Sequence, residues 1–241
     1  MKLLKPLFFL LIVMAAGCQK PSCFTDAGAV AQMIRTVTPF TKIVLNDNIH
    51  LVLTQDTVER LTVEGGKNLL PQIRTTVNQN TLTIENEIDC NWLRRPDEKI
   101  TVYASVKNLE QVDYNGSGNI SSTNTLTAPV LFFYSYVGAG NIDVDLQADV
   151  AGAYIHQENA DITLRGSANR FFTYTNARGS LNLKDLQVKN MVMEYGGVRN
   201  ATINVTENLD LIIYHTGHVY YKGTPQIKLQ THSTGQLLRQ P

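Results

Sequence analysis

The 241 residues predict an all-β protein, a parallel β-helix with about 20 residues per coil preceded by an antiparallel β-rich section. Three observations carry this. First, a motif spelled Asn115-Gly116-Ser117-Gly118-Asn119-Ile120 returns in altered form near residues 138–142, 159–162, 178–181, 200–203 and 216–219, ending at Thr234-Gly235-Gln236-Leu237. Its closing aliphatics Ile120, Ile142, Ile162, Leu181, Ile203, Val219 and Leu237 are separated by 22, 20, 19, 22, 16 and 18 residues. Second, the positions beside these aliphatics are polar and the next but one is apolar again in most rows (Val144, Leu164, Leu183, Val205). Period-two alternation is the pattern of a strand with one buried face. Third, residues 36–106 carry several short strand patterns separated by turn signals but no 20-residue repeat.

The chain opens with Lys2 and Lys5, an apolar run from Leu7 to Met14, and Ala15-Ala16-Gly17-Cys18. A charged start, a short apolar stretch and small residues make a signal peptide over 1–17, too short for a stable membrane-spanning helix. The segment resembles a bacterial lipoprotein signal, with Cys18 at the position of the acylated cysteine and Ala15 departing from the usual leucine. That resemblance implies a membrane anchor at Cys18 and a tether over 18–35. Gln19-Lys20-Pro21-Ser22 lacks the acidic pair that resembles a surface-export tag, so the expected location is the outer membrane, facing the periplasm. In an oxidising compartment the two remaining cysteines, Cys23 and Cys90, are expected to form one disulfide, with a pair of free thiols as the alternative.

Over 36–106, strands are expected at 41–45, 49–53, 60–63, 73–77, 81–84 and 100–103, with turns at Asn46-Asp47-Asn48, Gly65-Gly66 and Asn78-Gln79-Asn80. Short turns favour antiparallel hairpins, and this section is expected to cover the open end of the coil stack, with a separate small sandwich as the alternative. Asn68-Leu69-Leu70-Pro71 suits a single helical turn. The solenoid itself is expected over 107–241, its glycines taking positive φ at tight corners. A second segment in each coil aligns Tyr114, Tyr136, His156, Tyr174, Tyr195 and Tyr214, with Val112, Tyr134, Tyr154, Phe172, Met193 and Ile212 two residues earlier. The expectation is that both columns fill the interior; the alternative is an external tyrosine stripe able to stack on sugar rings.

The stretches Phe40-Thr41-Lys42-Ile43-Val44-Leu45, Asn68 to Ile73, Cys90-Asn91-Trp92-Leu93-Arg94, Asn115 to Ile120 and Val219 to Pro225 together resemble the head GIN domain family of bacterial lipoproteins, a family carrying an auto-transporter adhesin label. The resemblance covers nearly everything after residue 36 and implies a right-handed parallel β-helix. Only Gly116-Ser117-Gly118 keeps the family's Gly-Ser-Gly intact.

Lys plus Arg and Asp plus Glu number 21 each, a formal net charge of zero with no basic run, which argues against a nucleic-acid partner. Asp143 and Asp145 share a strand face, and Arg165 is expected one coil beyond Asp145, with Lys184 after it. Such a cluster resembles the acid/base groove of β-helical carbohydrate enzymes, but an ion pair between coils accounts for it more simply. Trp92 and Arg94 are candidates for contact with an anionic glycan, against the plainer reading of a loop closing on Cys90. Gly138-Ala139-Gly140-Asn141 has Ile142 where a calcium-binding repeat wants aspartate, and His156, His215, His218 and His232 are scattered, so neither metal nor cofactor is expected. The sequence therefore points to a non-catalytic, lipid-anchored envelope protein with a glycan or protein partner. The competing readings are a carbohydrate-active enzyme and a purely structural module.

Overall fold

The structure, a computed structural model, describes residues 26–89, 99–156, 159–176 and 178–240. Among the described residues, seventeen strands form one continuous hydrogen-bonded system, and its central part is a solenoid of parallel coils. The long strands β11 (Asn141–His156), β12 (Asp161–Asn176), β13 (Leu181–Tyr195) and β14 (Ala201–Ile213) each make most of a coil. Along β11 the buried positions are Ile142, Val144, Leu146 and Ala148, then Ala151, Ala153 and Ile155. The change of parity marks a bend near Asp149 that divides the coil into a first arm and a second arm. A glycine-rich corner then leads into the next coil.

Each coil lays its aliphatics on those of its neighbours. Ile142 pairs in register with Ile120 and Ile162, Ile162 with Leu181, and Val219 with Leu237. One expected member of this column is displaced. Leu181 and Val219 both face Ala201, while Ile203 is paired two residues further on with Tyr221. With Ala201 in the column, the irregular spacings of 22 and 16 become 20 and 18. Because side chains alternate, the two-residue offset leaves Ile203 buried in the same core.

The parallel stack begins well before the expected start at residue 107. β2 (Lys42–Asp47) and β3 (Ile49–Gln55) are not a hairpin: they are the second and first arms of a coil, pairing in parallel with β8 (Gln111–Gly116) and β9 (Ile120–Ser122). On their other side they pair in parallel with β6 (Thr81–Asn86) and β7 (Ile100–Val106). The coil formed first in the chain therefore lies between two coils formed later. Asn46-Asp47-Asn48 looked like a hairpin turn because a coil corner uses the same residues; Asp47 has φ 62°.

Antiparallel strands flank this end of the stack. β5 (Ile73–Asn78) joins β6 in a hairpin whose turn residues Gln79 and Asn80 have φ 47° and 62°, and β4 (Arg60–Gly66) runs antiparallel to β7. β1 (Val30–Arg35), a strand not foreseen, adds antiparallel to β4. Its pattern is weak because one of its faces, with Val30 and Ile34 at 78% and 74% exposure, buries almost nothing. Leu70–Gln72 forms the single helical turn, of 3-10 type. Among the described residues no helix is long and apolar enough to cross a membrane.

The corner glycines do not act through positive φ. Among the described residues only Gly28, Gly166 and Gly223 have it. At Gly138 and Gly140 the requirement is space: a β-carbon at Gly140 would stand 2.5 Å from the Tyr114 Oη, and one at Gly138 would overlap the Tyr114 ring. Tyr114 is fully buried; its hydroxyl donates to the Gly118 carbonyl at 2.6 Å and accepts from the Gly140 amide at 2.8 Å. Tyr195 repeats the device further along, donating to the carbonyl of Arg199 with Gly197 and Gly217 against its ring.

Candidate functional site: an outward aromatic array

The interior reading of the tyrosine columns is overturned for most of their members. Val112, Tyr114, Met193 and Tyr195 point inward, but Tyr134, Tyr136, Tyr154, His156, Phe172, Tyr174, Ile212 and Tyr214 project from the outer face of the second arm. The true interior column runs Val112, Phe133, Ala153, Thr173, Met193, Leu211. Beside it runs Tyr114, Ser135, Ile155, Thr175, Tyr195, Ile213. The step from Tyr114 to its partner Ser135 is 21 residues, whereas the assumed step to Tyr136 is 22. An error of one residue turns every side chain to the opposite face.

Three successive coils supply the rows of the array: Phe132, Tyr134 and Tyr136, then Gly152, Tyr154 and His156, then Phe172, Tyr174 and Asn176. Within it Tyr134 and Tyr154 stack with centroids 5.1 Å apart and planes 12° from parallel, and Tyr136 and His156 at 5.1 Å and 6°. Phe132 joins Tyr134 at 6.0 Å, and His156 meets Tyr174 at 5.4 Å. Parallel coils place like residues one strand spacing apart, about 4.8 Å, so rings on neighbouring coils stack along the solenoid axis. Each such pair is worth about 0.5–1.5 kcal/mol. Gly152 makes room for this: a β-carbon there would lie 2.5 Å from Cδ1 of Phe132 and 2.7 Å from the carbonyl of Phe172. What the stack shows to solvent is a set of ring edges and phenol hydroxyls. Burial, and then the neighbouring phenols and Asp113, push the Tyr134 hydroxyl above its usual pKa. Burial, and then Glu194, do the same at Tyr154.

The carboxylates singled out from sequence lie on the first arm, away from this array. Arg165 forks between them, its Nε 2.6 Å from Asp145 and its other branch on Asp143. All three are well exposed, and both carboxylates share one guanidinium. The partner of Arg165 on the next coil is Asp185 rather than Lys184, because the register shifts between Thr163 and Arg165; Lys184 instead lies 3.4 Å from Asp185. A groove of about 580 Å³ follows the bend between the arms, over Ala128, Ala148 and Ala168, with Asp149 held by Asn169 at 2.9 Å. Cys18, Cys23, Cys90, Trp92 and Arg94 lie outside the described residues.

A capped parallel solenoid with one aromatic outer arm defines the class as a β-helical protein. Residues 39–225 match the model of the family described as "Putative auto-transporter adhesin, head GIN domain", and the chain belongs to that family. Among solved structures it is similar to a "putative adhesin" from Bacteroides fragilis at 24% identity, over 88% of this chain and 97% of that one, with a TM-score of 0.81. It is also similar to a "putative lipid binding protein" from Parabacteroides distasonis (18% identity, 89% and 98% covered, TM-score 0.68). A "putative adhesin" from the same species gives 20% identity, 88% and 97% covered and a TM-score of 0.65. At these identities the likeness establishes the fold. No curated protein matches the chain.

Proposed function

We propose that the protein is a non-catalytic, lipid-anchored, adhesin-like component of the cell envelope that binds a glycan on the outer face of its second arm. The observation that carries this is the outward aromatic array, in which Phe132, Tyr134, Tyr136 and Tyr154 stack on one another and Phe172 and Tyr174 continue on the next coil. The array offers apolar ring edges to the C–H groups of a sugar and phenol hydroxyls to its polar rim, and tyrosine loses little side-chain entropy on binding. The engagement of Asp143 and Asp145 by Arg165 favours binding over acid/base chemistry there.

The test is a glycan-array screen of the soluble chain beginning at Ser22, beside Tyr134→Ala/Tyr154→Ala. Reproducible binding that falls at least about tenfold in the variant supports the reading, since loss of a central aromatic contact is worth 1.4 kcal/mol or more. Binding to nothing on the array favours the structural-module reading. Anchoring at Cys18 on the periplasmic side of the outer membrane belongs to the same proposal. Cys18→Ala is expected to leave the protein unlabelled by a fatty-acid analogue and absent from the membrane fraction. A Cys23–Cys90 bridge completes it, read as one disulfide-linked peptide pair in a non-reducing digest.

A further inference from the structure

The ladder of rings on the second arm is interrupted once. In the outermost column, Tyr136 stacks on His156, Tyr174 leans in from the neighbouring column at 5.4 Å, and stacking resumes between Tyr214 and His232 at 5.4 Å. Between these two groups the column holds Asn176 and then Gly196, the latter buried and without a side chain. The gap is a cavity of about 410 Å³ lined by Tyr174, Asn176, Glu194, Gly196, Tyr214 and His215. That volume is within the range of small-ligand sites.

Glu194 occupies the register position that holds a tyrosine in the three preceding coils: Tyr134, Tyr154, Tyr174. Among the described residues its carboxylate accepts one hydrogen bond, from the Tyr214 hydroxyl at 3.5 Å. Two other acids on this outer face have cations: Asp113 has Lys42 at 2.8 Å, and Asp210 has Lys228 at 3.0 Å; Glu85, on β6, accepts a hydrogen bond from the Asn46 amide at 3.3 Å. Glu194 pairs with no lysine or arginine among the described residues. Its uncompensated charge is felt by the surrounding phenols, since after burial Glu194 is the next cause raising both Tyr154 and Tyr214.

We propose that this slot binds an organic cation, an ammonium group seated against Glu194 between the rings of Tyr174 and Tyr214. A carboxylate and the negative π-faces of aromatic rings select the same ligand chemistry, and together they hold a weakly hydrated ammonium better than either does alone. A neutral ligand in the slot would remove water from Glu194 and leave its charge without a partner. Gly196 supplies the depth, because any side chain there would fill the floor. The inference rests on the second arm being the binding surface proposed above, but not on the chemistry of the ligand taken by Tyr134 and Tyr154. The ammonium can belong to a quaternary headgroup or to an amino sugar, and the experiment separates the two.

The experiment is titration of the folded chain, by calorimetry or by the amide resonance of Gly196, with two matched pairs: choline against 3,3-dimethylbutanol, and glucosamine against N-acetylglucosamine. Saturable binding at about millimolar concentration by at least one charged member, about tenfold tighter than its uncharged counterpart, is expected. The pair that shows the preference identifies the source of the ammonium. Glu194→Gln is expected to abolish the preference without changing thermal unfolding, whereas Tyr134→Ala leaves it intact. The proposal is overturned if neither charged probe binds, if charged and uncharged probes bind alike, or if Glu194→Gln binds the cation as well as the wild type. A cation preference without any array glycan would sink the glycan reading alone; array binding lost with Tyr134 and Tyr154, but with no cation preference, would sink this inference alone.

Discussion

Two groups of tyrosines occupy the same arm of successive coils and do opposite things. Tyr114 and Tyr195 point inward, fill the space behind a corner and satisfy their hydroxyls on corner backbone. Tyr134 and Tyr154 point outward and stack on each other, and Tyr174, in register with Tyr154 on the next coil, meets the ring of His156. The residue type is the same and the sequence offset is a single position. Parity relative to the bend decides which group becomes core and which becomes surface, and so which is available for binding.

The sharpest test of that division is to truncate one member of each group. Tyr195→Ala removes a fully buried ring and is expected to destabilise the protein by about 3–5 kcal/mol. Tyr154→Ala, which loses stacking at a half-buried site, is expected to lose about 1 kcal/mol. Urea denaturation of both variants measures the difference, and equal losses would break the comparison.

Alkaline pH separates the groups next. Burial pushes the Tyr195 hydroxyl up to about 12 from an unfolded value of 10.0. The folded state therefore holds this proton more tightly than the unfolded state. The resulting stability is fully present below pH 10 and is lost as pH rises through 12. It amounts to about 2–3 kcal/mol. The wild type minus Tyr195→Phe difference, followed by denaturation from pH 9 to 12, should shrink by that amount; a difference independent of pH would place Tyr195 in water.

Glycine substitutions probe the same contrast with smaller effects. Gly140→Ala sets a methyl against the Gly118 carbonyl and the Tyr114 hydroxyl, groups fixed in the core, and is expected to cost about 1–3 kcal/mol. Gly152→Ala displaces the Phe132 ring, which can swing toward solvent, but also meets the Phe172 carbonyl, and should cost about 1–2 kcal/mol. Its larger effect is expected on binding, because the platform loses its flatness. Thermal melts and the glycan screen, run on both variants, read the two effects separately.

The sequence displayed the solenoid well and the binding face poorly, for one physical reason. Ile142, Ile162 and Leu181 announce themselves because each is flanked by polar residues that fix which way it points. On the second arm both parities are mixed: Phe133, Ala153 and Thr173 face inward beside Tyr134, Tyr154 and Tyr174 facing outward. Composition could not choose between them; only the register could, and it depends on a 21-residue step among steps of 20 and 18. The parallel pairing of β2 and β3 was hidden for a related reason, since their partners lie up to 69 residues away. Glu194 stood outside the tyrosine column as the sequence presents it, which passes from Tyr174 to Tyr195; only the register sets Glu194 after Tyr174 on the outer face.

The outer face has its own internal contrast, between stacked rings and paired charges, and Arg165 yields the smallest predicted effect. Its guanidinium is 39% exposed and spans two carboxylates that lie on one strand face. An exposed ion pair contributes about 0–1 kcal/mol because water and salt screen it. Arg165→Ala adds the mutual repulsion of Asp143 and Asp145, so its loss should lie near the top of that range at low salt and shrink in 1 M salt, where the Debye length is about 3 Å. Asp145→Asn leaves Arg165 with Asp143 and should change stability by about 0.5 kcal/mol or less. Denaturation of both variants at two salt concentrations checks the order. A large, salt-independent loss in Arg165→Ala would mean that the guanidinium supports the coil by packing its stem across the strand. The first arm would then owe its outer order to packing, as the second owes its own to stacked rings.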